Sequence, residues 1–128
     1  MISFEGFRTD GSEPIYIQIV GYIKRGIVSG AVADGDELPS RRVLSALLGV
    51  NPNTVQKACR ILEDEGILES RAGAKSCVRY TDEKRAELTA ALVAESAASA
   101  ALGLKHLGIT LDEALRLIRR VWEEDDKK

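Results

Sequence analysis

The sequence predicts a mainly helical fold with one small β-hairpin, and three observations carry that expectation. Four segments place apolar residues at three- and four-residue spacing between helix start and stop signals, and a fifth is long and rich in alanine. One stretch after the third segment changes to short strand-forming runs around a glycine. Apolar residues make up 45% of the 128 and aromatics only 5%, so aliphatic side chains are expected to fill the core.

The first helix opens at Pro14, read as a first-turn proline, and carries Ile15, Ile19, Tyr22, Ile23 and Ile27 as its apolar stripe before Gly30 closes it. Asp34-Gly35-Asp36 is a turn. Ser40 caps a short second helix whose buried stripe is expected to be Val43, Leu44, Leu47 and Leu48, with Gly49 as its stop. Asn51-Pro52 opens a third helix, because proline at the first helical position forfeits only an N–H that has no partner anyway. Its inner face is Val55, Ala58, Cys59 and Leu62, and Gly66 ends it. Ile67 to Ser70 and Ser76 to Tyr80 then read as two strands joined through Ala72-Gly73-Ala74. Three helices and a hairpin, with only Gly49-Val50-Asn51 between the second and third helices, is the winged helix-turn-helix pattern.

From Thr81 the character shifts. Asp82 to Leu107 reads as one helix rich in alanine, stopped by Gly108. Thr110 and Glu113 form a capping box, with Ile109 and Ala114 placed for a hydrophobic staple. The last helix carries Leu111, Leu115, Leu117, Ile118, Val121 and Trp122 before an acidic-basic tail expected to fray. Residues 1–80 are thus expected to form the winged unit and residues 81–128 a two-helix dimerisation unit.

A net charge of −2 looks unfavourable for nucleic acid, but a duplex meets one face rather than the average. Pro39 to Arg60 contains Arg41, Arg42, Lys57 and Arg60 and no acid. Ser70 to Tyr80 contains Arg71, Lys75 and Arg79, again without an acid, while Glu63-Asp64-Glu65 and Glu123 to Asp126 gather negative charge elsewhere. With Val55, Ala58, Cys59 and Leu62 turned inward, the third helix faces outward with Asn53, Thr54, Gln56, Lys57 and Arg60. Amides suit adenine, while arginine and lysine suit guanine or phosphate, so this face has the chemistry to read double-stranded DNA.

Residues Pro14 to Val78 resemble the DNA-binding domain of the GntR family of bacterial regulators. The resemblance lies in Pro14-Ile-Tyr-Ile-Gln-Ile19, Gly30 with Gly35-Asp36, Leu38-Pro-Ser-Arg-Arg42, Val50-Asn-Pro-Asn-Thr-Val55, Leu62-Glu-Asp-Glu-Gly66 and the Gly73 wing. The Asn-Pro-Asn-Thr-Val segment and the short helical tail are similar to the YtrA-type subfamily. The resemblance implies DNA contacts by Arg42, by Asn51 to Thr54, with Asn51, Asn53 and Thr54, at the recognition-helix start, and by the wing tip Ala72 to Lys75, with Gly73 and Lys75; Ser40, Arg41 and Arg71, on the same acid-free stretches, are expected to contact DNA as well. Pro52 and Gln56 stand where many members carry arginine, and Arg41 where many carry glutamate. The wing reads Gly73-Ala-Lys75-Ser-Cys77-Val78 in place of the usual Gly-x-Gly-Thr-Phe-Val, so base reading here is expected to be this chain's own.

Other roles find little support. His106 is the only histidine, and neither a metal nor a cofactor is expected. Cys59 and Cys77 read as small buried residues, and no catalytic triad, paired carboxylates or phosphate-binding glycine loop points to an enzyme. No signal peptide or membrane span is expected, which places the chain in the cytoplasm. Two helices cannot cover both of their apolar faces alone, and the YtrA-type resemblance also implies dimerisation here. Ala94, Ala97, Ala98 and Ala101 are expected to meet the partner, with Leu115, Ile118 and Trp122 beside them. Only 48 residues follow Tyr80, too few for the ligand domain of larger relatives, so control by a small-molecule effector is expected to use a cleft between subunits or an outside partner. The expected function is a homodimeric repressor on an inverted-repeat operator; the alternative is a winged-helix module that docks an acidic protein.

Overall fold

A computed structural model of the chain describes residues 1–70 and 75–128, and in it the expected helices and an antiparallel pair of strands are present, while the turn expected at Ala72-Gly73-Ala74 lies outside the described residues. Helix α1 spans Ile15–Ser29, α2 Arg41–Leu48 and α3 Pro52–Asp64. Strands β1 (Leu68–Glu69) and β2 (Cys77–Val78) pair antiparallel, Leu68 opposite Val78. Helices α4 (Asp82–His106) and α5 (Leu111–Asp126) follow. Two compact units result, residues 1–89 and 90–128, with the division inside α4.

The caps form as the sequence suggests. Ser40 accepts a hydrogen bond from the Val43 N–H at 3.2 Å, Asn51 from Asn53 at 2.8 Å and Thr110 from Glu113 at 3.2 Å. Gly49 ends α2 at φ 67°, a left-handed conformation that sets the angle between α2 and α3. A Cβ there would meet nothing within 4 Å, so what glycine supplies is backbone freedom rather than room. Asn51→Ala should lower stability by about 1 kcal/mol through loss of the α3 cap, checked by denaturant melts against Asn53→Ala.

In the first unit Ile19, Ile23 and Ile27 of α1 pack with Leu44 of α2 and with Val55, Ala58, Cys59 and Leu62 of α3. Ile67, Leu68 and Val78 of the hairpin and Leu88 of α4 complete this core. Four features correct the expectations. First, aromatic residues also fill the core. Phe4 and Phe7 of the N-terminal arm are buried, stacking on Tyr22 at 5.1 Å and meeting it edge-on at 5.4 Å. The Ile2 N–H bonds the Glu37 carbonyl at 2.8 Å, and the buried Gln18 amide donates to the carbonyls of Asp10 and Glu13, pinning the arm. Second, α2 turns Leu44 and Ser45 inward and leaves Val43 and Leu47 exposed, because the buried Ser45 hydroxyl is held by the Val50 carbonyl at 2.6 Å. Third, Ile15 lies at the exposed start of α1, and Pro14 occupies the N-cap position rather than the first turn. Fourth, the regular strands are two residues each, with a further bridge from Cys77 to Glu37.

Arg85 anchors the start of α4 by donating to the Ile27 and Val28 carbonyls at 3.2 and 3.0 Å, which adds side-chain donors at the C-terminal end of α1. By length and composition alone α4 is apolar enough to cross a membrane, with mean hydropathy 1.2 over an 18-residue window. Alanine supplies much of that value, although its methyl group gives little transfer energy on burial.

In the second unit α5 continues through Asp126. Ala114 is its only buried residue; Leu111, Leu115, Leu117, Ile118, Val121 and Trp122 are exposed.

Candidate nucleic-acid interface

Burial of Val55, Ala58, Cys59 and Leu62 fixes the rotation of α3 and so decides which side chains face out. Asn53, Lys57 and Arg60 are exposed, and Thr54 and Gln56 are half-buried at the edges of the same face. Asn51 is committed to the cap, as is the acceptor oxygen of Ser40, whose hydroxyl hydrogen remains available. Lys57 lies over the Tyr16 ring, 4.5 Å from its centroid, so an aromatic residue of α1 holds a cation on the outward face.

The two arginines that open α2 behave differently. Arg42 is exposed and makes no hydrogen bond or ion pair among the described residues. Arg41 is half-buried, paired to Glu63 at the end of α3, and donates to Ser70 at 3.3 Å. Lys75 stands 4.0 Å from Glu37, with about half its side chain exposed. The expected contacts at Arg71 and Gly73 lie outside the described residues.

The acids close to this face are partly neutralised, Glu63 by Arg41 and Glu65 by Lys24 at 2.8 Å. Burial pushes the Cys59 thiol above its usual range, partly countered by the neighbouring Arg41. A raised, buried thiol is a poor nucleophile, which suits a packing role. Among the described residues no three His, Cys, Asp or Glu side chains are grouped to hold a metal ion.

Sequence reasoning missed Tyr16, Glu63 and Ser70. A lysine five positions before an inward leucine gives no hint that a tyrosine from another helix lies beneath it. Glu63 and Ser70 read as a solvated helix end and a strand end, and only the tertiary fold brings them to Arg41.

The residues expected at a subunit contact are on bare surface. Ala94, Ala97, Ala98 and Ala101 are all exposed, as are Leu115, Ile118 and, at 70%, Trp122. Ala101, Leu104, Leu115 and Ile118 line one open apolar hollow of about 450 Å³. Leu104, Ile118, Val121 and Trp122 line another of about 540 Å³. Ala94, Ala97 and Ala98 line neither.

Comparison with known proteins bears on this geometry. Residues 15–78 match the family described as bacterial regulatory proteins, gntR family. The HTH-type transcriptional regulator YhcF of Bacillus subtilis is 35% identical over 112 residues, spanning 88% of this chain and 93% of that protein. The HTH-type transcriptional repressor YtrA of the same organism is 47% identical over 62 residues, 48% of each chain. A GntR family transcriptional regulator from Listeria monocytogenes has a similar solved structure, with a TM-score of 0.76 and 30% identity over 88% of this chain and 98% of that one.

Proposed function

The chain belongs to the GntR family of bacterial regulatory proteins, in its YtrA-type branch, and from that premise we propose that it is a homodimeric repressor of an inverted-repeat operator. It is a helix-turn-helix transcription regulator whose relatives are regulators and not enzymes. The observation that carries the finer reading is the outward face of α3. Its cations and amides have no acid among them, and Arg42 beside it makes no hydrogen bond or ion pair among the described residues.

In this reading the face enters the major groove. Asn53, Thr54 and Gln56 address base edges near the helix start, while Arg42, Lys57 and Arg60 address guanine or phosphate. Ser40 and the positive end of α2 address a phosphate, and Lys75 reaches the backbone from the wing. Repression follows from occupying a promoter, as the name of the YtrA relative also suggests. The site of action is the bacterial cytoplasm, and any small-molecule effector would use the apolar hollows of residues 90–128.

Titration against a duplex selected by the wild-type protein from random-sequence DNA, and against its scrambled version, tests this. Arg42→Ala should weaken specific binding by roughly 1–3 kcal/mol; a loss confined to the selected duplex marks a base contact, and an equal loss on both marks a phosphate contact. Gln56→Ala should change base preference at one position while leaving scrambled DNA bound as before, because an amide cannot neutralise phosphate. Unchanged binding in both variants would remove α2 and α3 from the interface.

A further inference from the structure

We infer that Arg41 is a positioning residue of this interface: gripped by Glu63 and Ser70, it fastens the base of the wing to α2 and α3 so that Lys75 is presented to the DNA backbone. The inference rests on the DNA-binding reading above and replaces a direct DNA contact by Arg41.

Four elements meet at one hydroxyl. Ser70 follows β1, Ser76 precedes β2, Arg41 opens α2 and Glu63 lies in the last turn of α3. The Ser70 hydroxyl donates to Glu63 at 2.8 Å, so its single hydrogen is used. Arg41 donates to the same oxygen at 3.3 Å, and at 3.1 Å from Ser76 the remaining lone pair takes the Ser76 hydroxyl hydrogen. The group is saturated: one bond given, two accepted. The Ser76 carbonyl in turn accepts from the Leu38 N–H at 2.9 Å, three residues before Arg41, which closes a ring from α2 through the wing and back.

The seat of the guanidinium argues the same way. Arg41 and Glu63 are about two-thirds covered, and the Arg41 Nε is shut from water without an acceptor in hydrogen-bonding geometry. Its charge is also felt by the buried Cys59 thiol. The head group therefore lies within the fold between α3 and the wing base. Reaching a phosphate would break its pair with Glu63 and leave that carboxylate bare beside DNA. Arg42, one residue on, is exposed and unpaired among the described residues, and is the arginine free to make a contact.

Two measurements on the full chain test this. In free protein, amide hydrogen exchange at Leu38 and Val78 should be at least about tenfold faster in Arg41→Ala and in Glu63→Gln, with α1 amides unchanged. Unchanged exchange at Leu38 and Val78 overturns the brace. On the selected duplex, Arg41→Ala should raise Kd about tenfold in the wild-type background and less than about twofold in Lys75→Ala, since the loss passes through Lys75. Losses that multiply independently would mean that Arg41 touches DNA itself and overturn the inference. Glu63→Gln decides by sign: a brace predicts weaker binding, a direct Arg41 contact tighter binding, with Asp64→Asn reporting the general gain from deleting one acid. If Arg41→Ala fails to fold, Ser70→Ala severs the same ring more gently and carries both readouts. If the wild type selects no duplex, the DNA-binding reading fails, and hydrogen exchange alone decides the brace.

Discussion

A monomer with little operator affinity is the expected result of replacing Ile118 and Trp122 together with glutamate. Ile118 borders both apolar hollows of the second unit, and Trp122 is 70% exposed at the edge of the larger one. Monomeric proteins rarely leave contiguous apolar surface bare, and in the proposed homodimer a second copy would cover it by symmetry. A carboxylate buried there without a partner costs more than a dimer contact returns, so the pair separates. The loss of DNA binding is then one of valence. Two winged units on one dimer make the second half-site contact intramolecular, which adds roughly 10²–10⁴ to the overall affinity with no new contact. Ala98→Glu should act in the same direction if the exposed alanine face shares the interface. Sedimentation should give half the wild-type mass for the double variant, and titration a loss of at least about 100-fold on the full repeat with half-site affinity preserved. A double variant that remains dimeric, or a wild-type monomer binding one half-site as tightly as the repeat, would refute the assembly.

The second large effect concerns the N-terminal arm. Phe4→Ala should destabilise the first unit by roughly 3–5 kcal/mol, because a buried ring stacked on Tyr22 leaves a cavity its neighbours only partly fill. For a chain of this length that is a fall in Tm of roughly 10–20 °C. Ser3→Ala, on an exposed neighbour, should change little. Equal melting of Phe4→Ala and wild type would show the arm to be detached from the core in solution.

The arm also shows where sequence reading stops. Ile2, Phe4 and Phe7 obey neither a helical nor a strand period over a useful length, so nothing local marks them as core. Their burial depends on Tyr22 and Glu37, which arrive from elsewhere in the chain. Helix limits were far more legible because each is written locally, in Ser40, Asn51, Thr110 and the glycines that follow α1, α2 and α3. The inward face of α3 was legible for the same reason. On α2 the pattern misled: eight residues are too few for apolar spacing to fix rotation, and the tie from Ser45 to Val50 outweighed the attraction of Val43 and Leu47 for the core. The DNA-facing set could be read as a set of candidates, but the distinction between Arg41 and Arg42 could not, because it depends on a glutamate 22 positions away. A truncation meant to isolate the winged unit should end after Thr89 rather than at residue 80, since Leu88 is part of its core.

The order of charge along α3 has a consequence for how the protein finds its site. Polar and cationic side chains occupy the face from Asn53 to Arg60, and Glu63, Asp64 and Glu65 close the far end. The backbone dipole points the same way, positive at Asn51 and negative at Glu65. In the proposed complex a duplex would meet an attracting face from Asn53 to Arg60 and, since Arg41 pairs with Glu63 and Lys24 with Glu65, a more weakly repelling far end, and the difference would exert a torque before any base is touched. On that reading, encounters made tail-first would be turned around or released, and those made head-first would slide into register. The polarity of the helix would thus sort collisions by orientation, so that fewer of them are wasted during a scan along non-specific DNA.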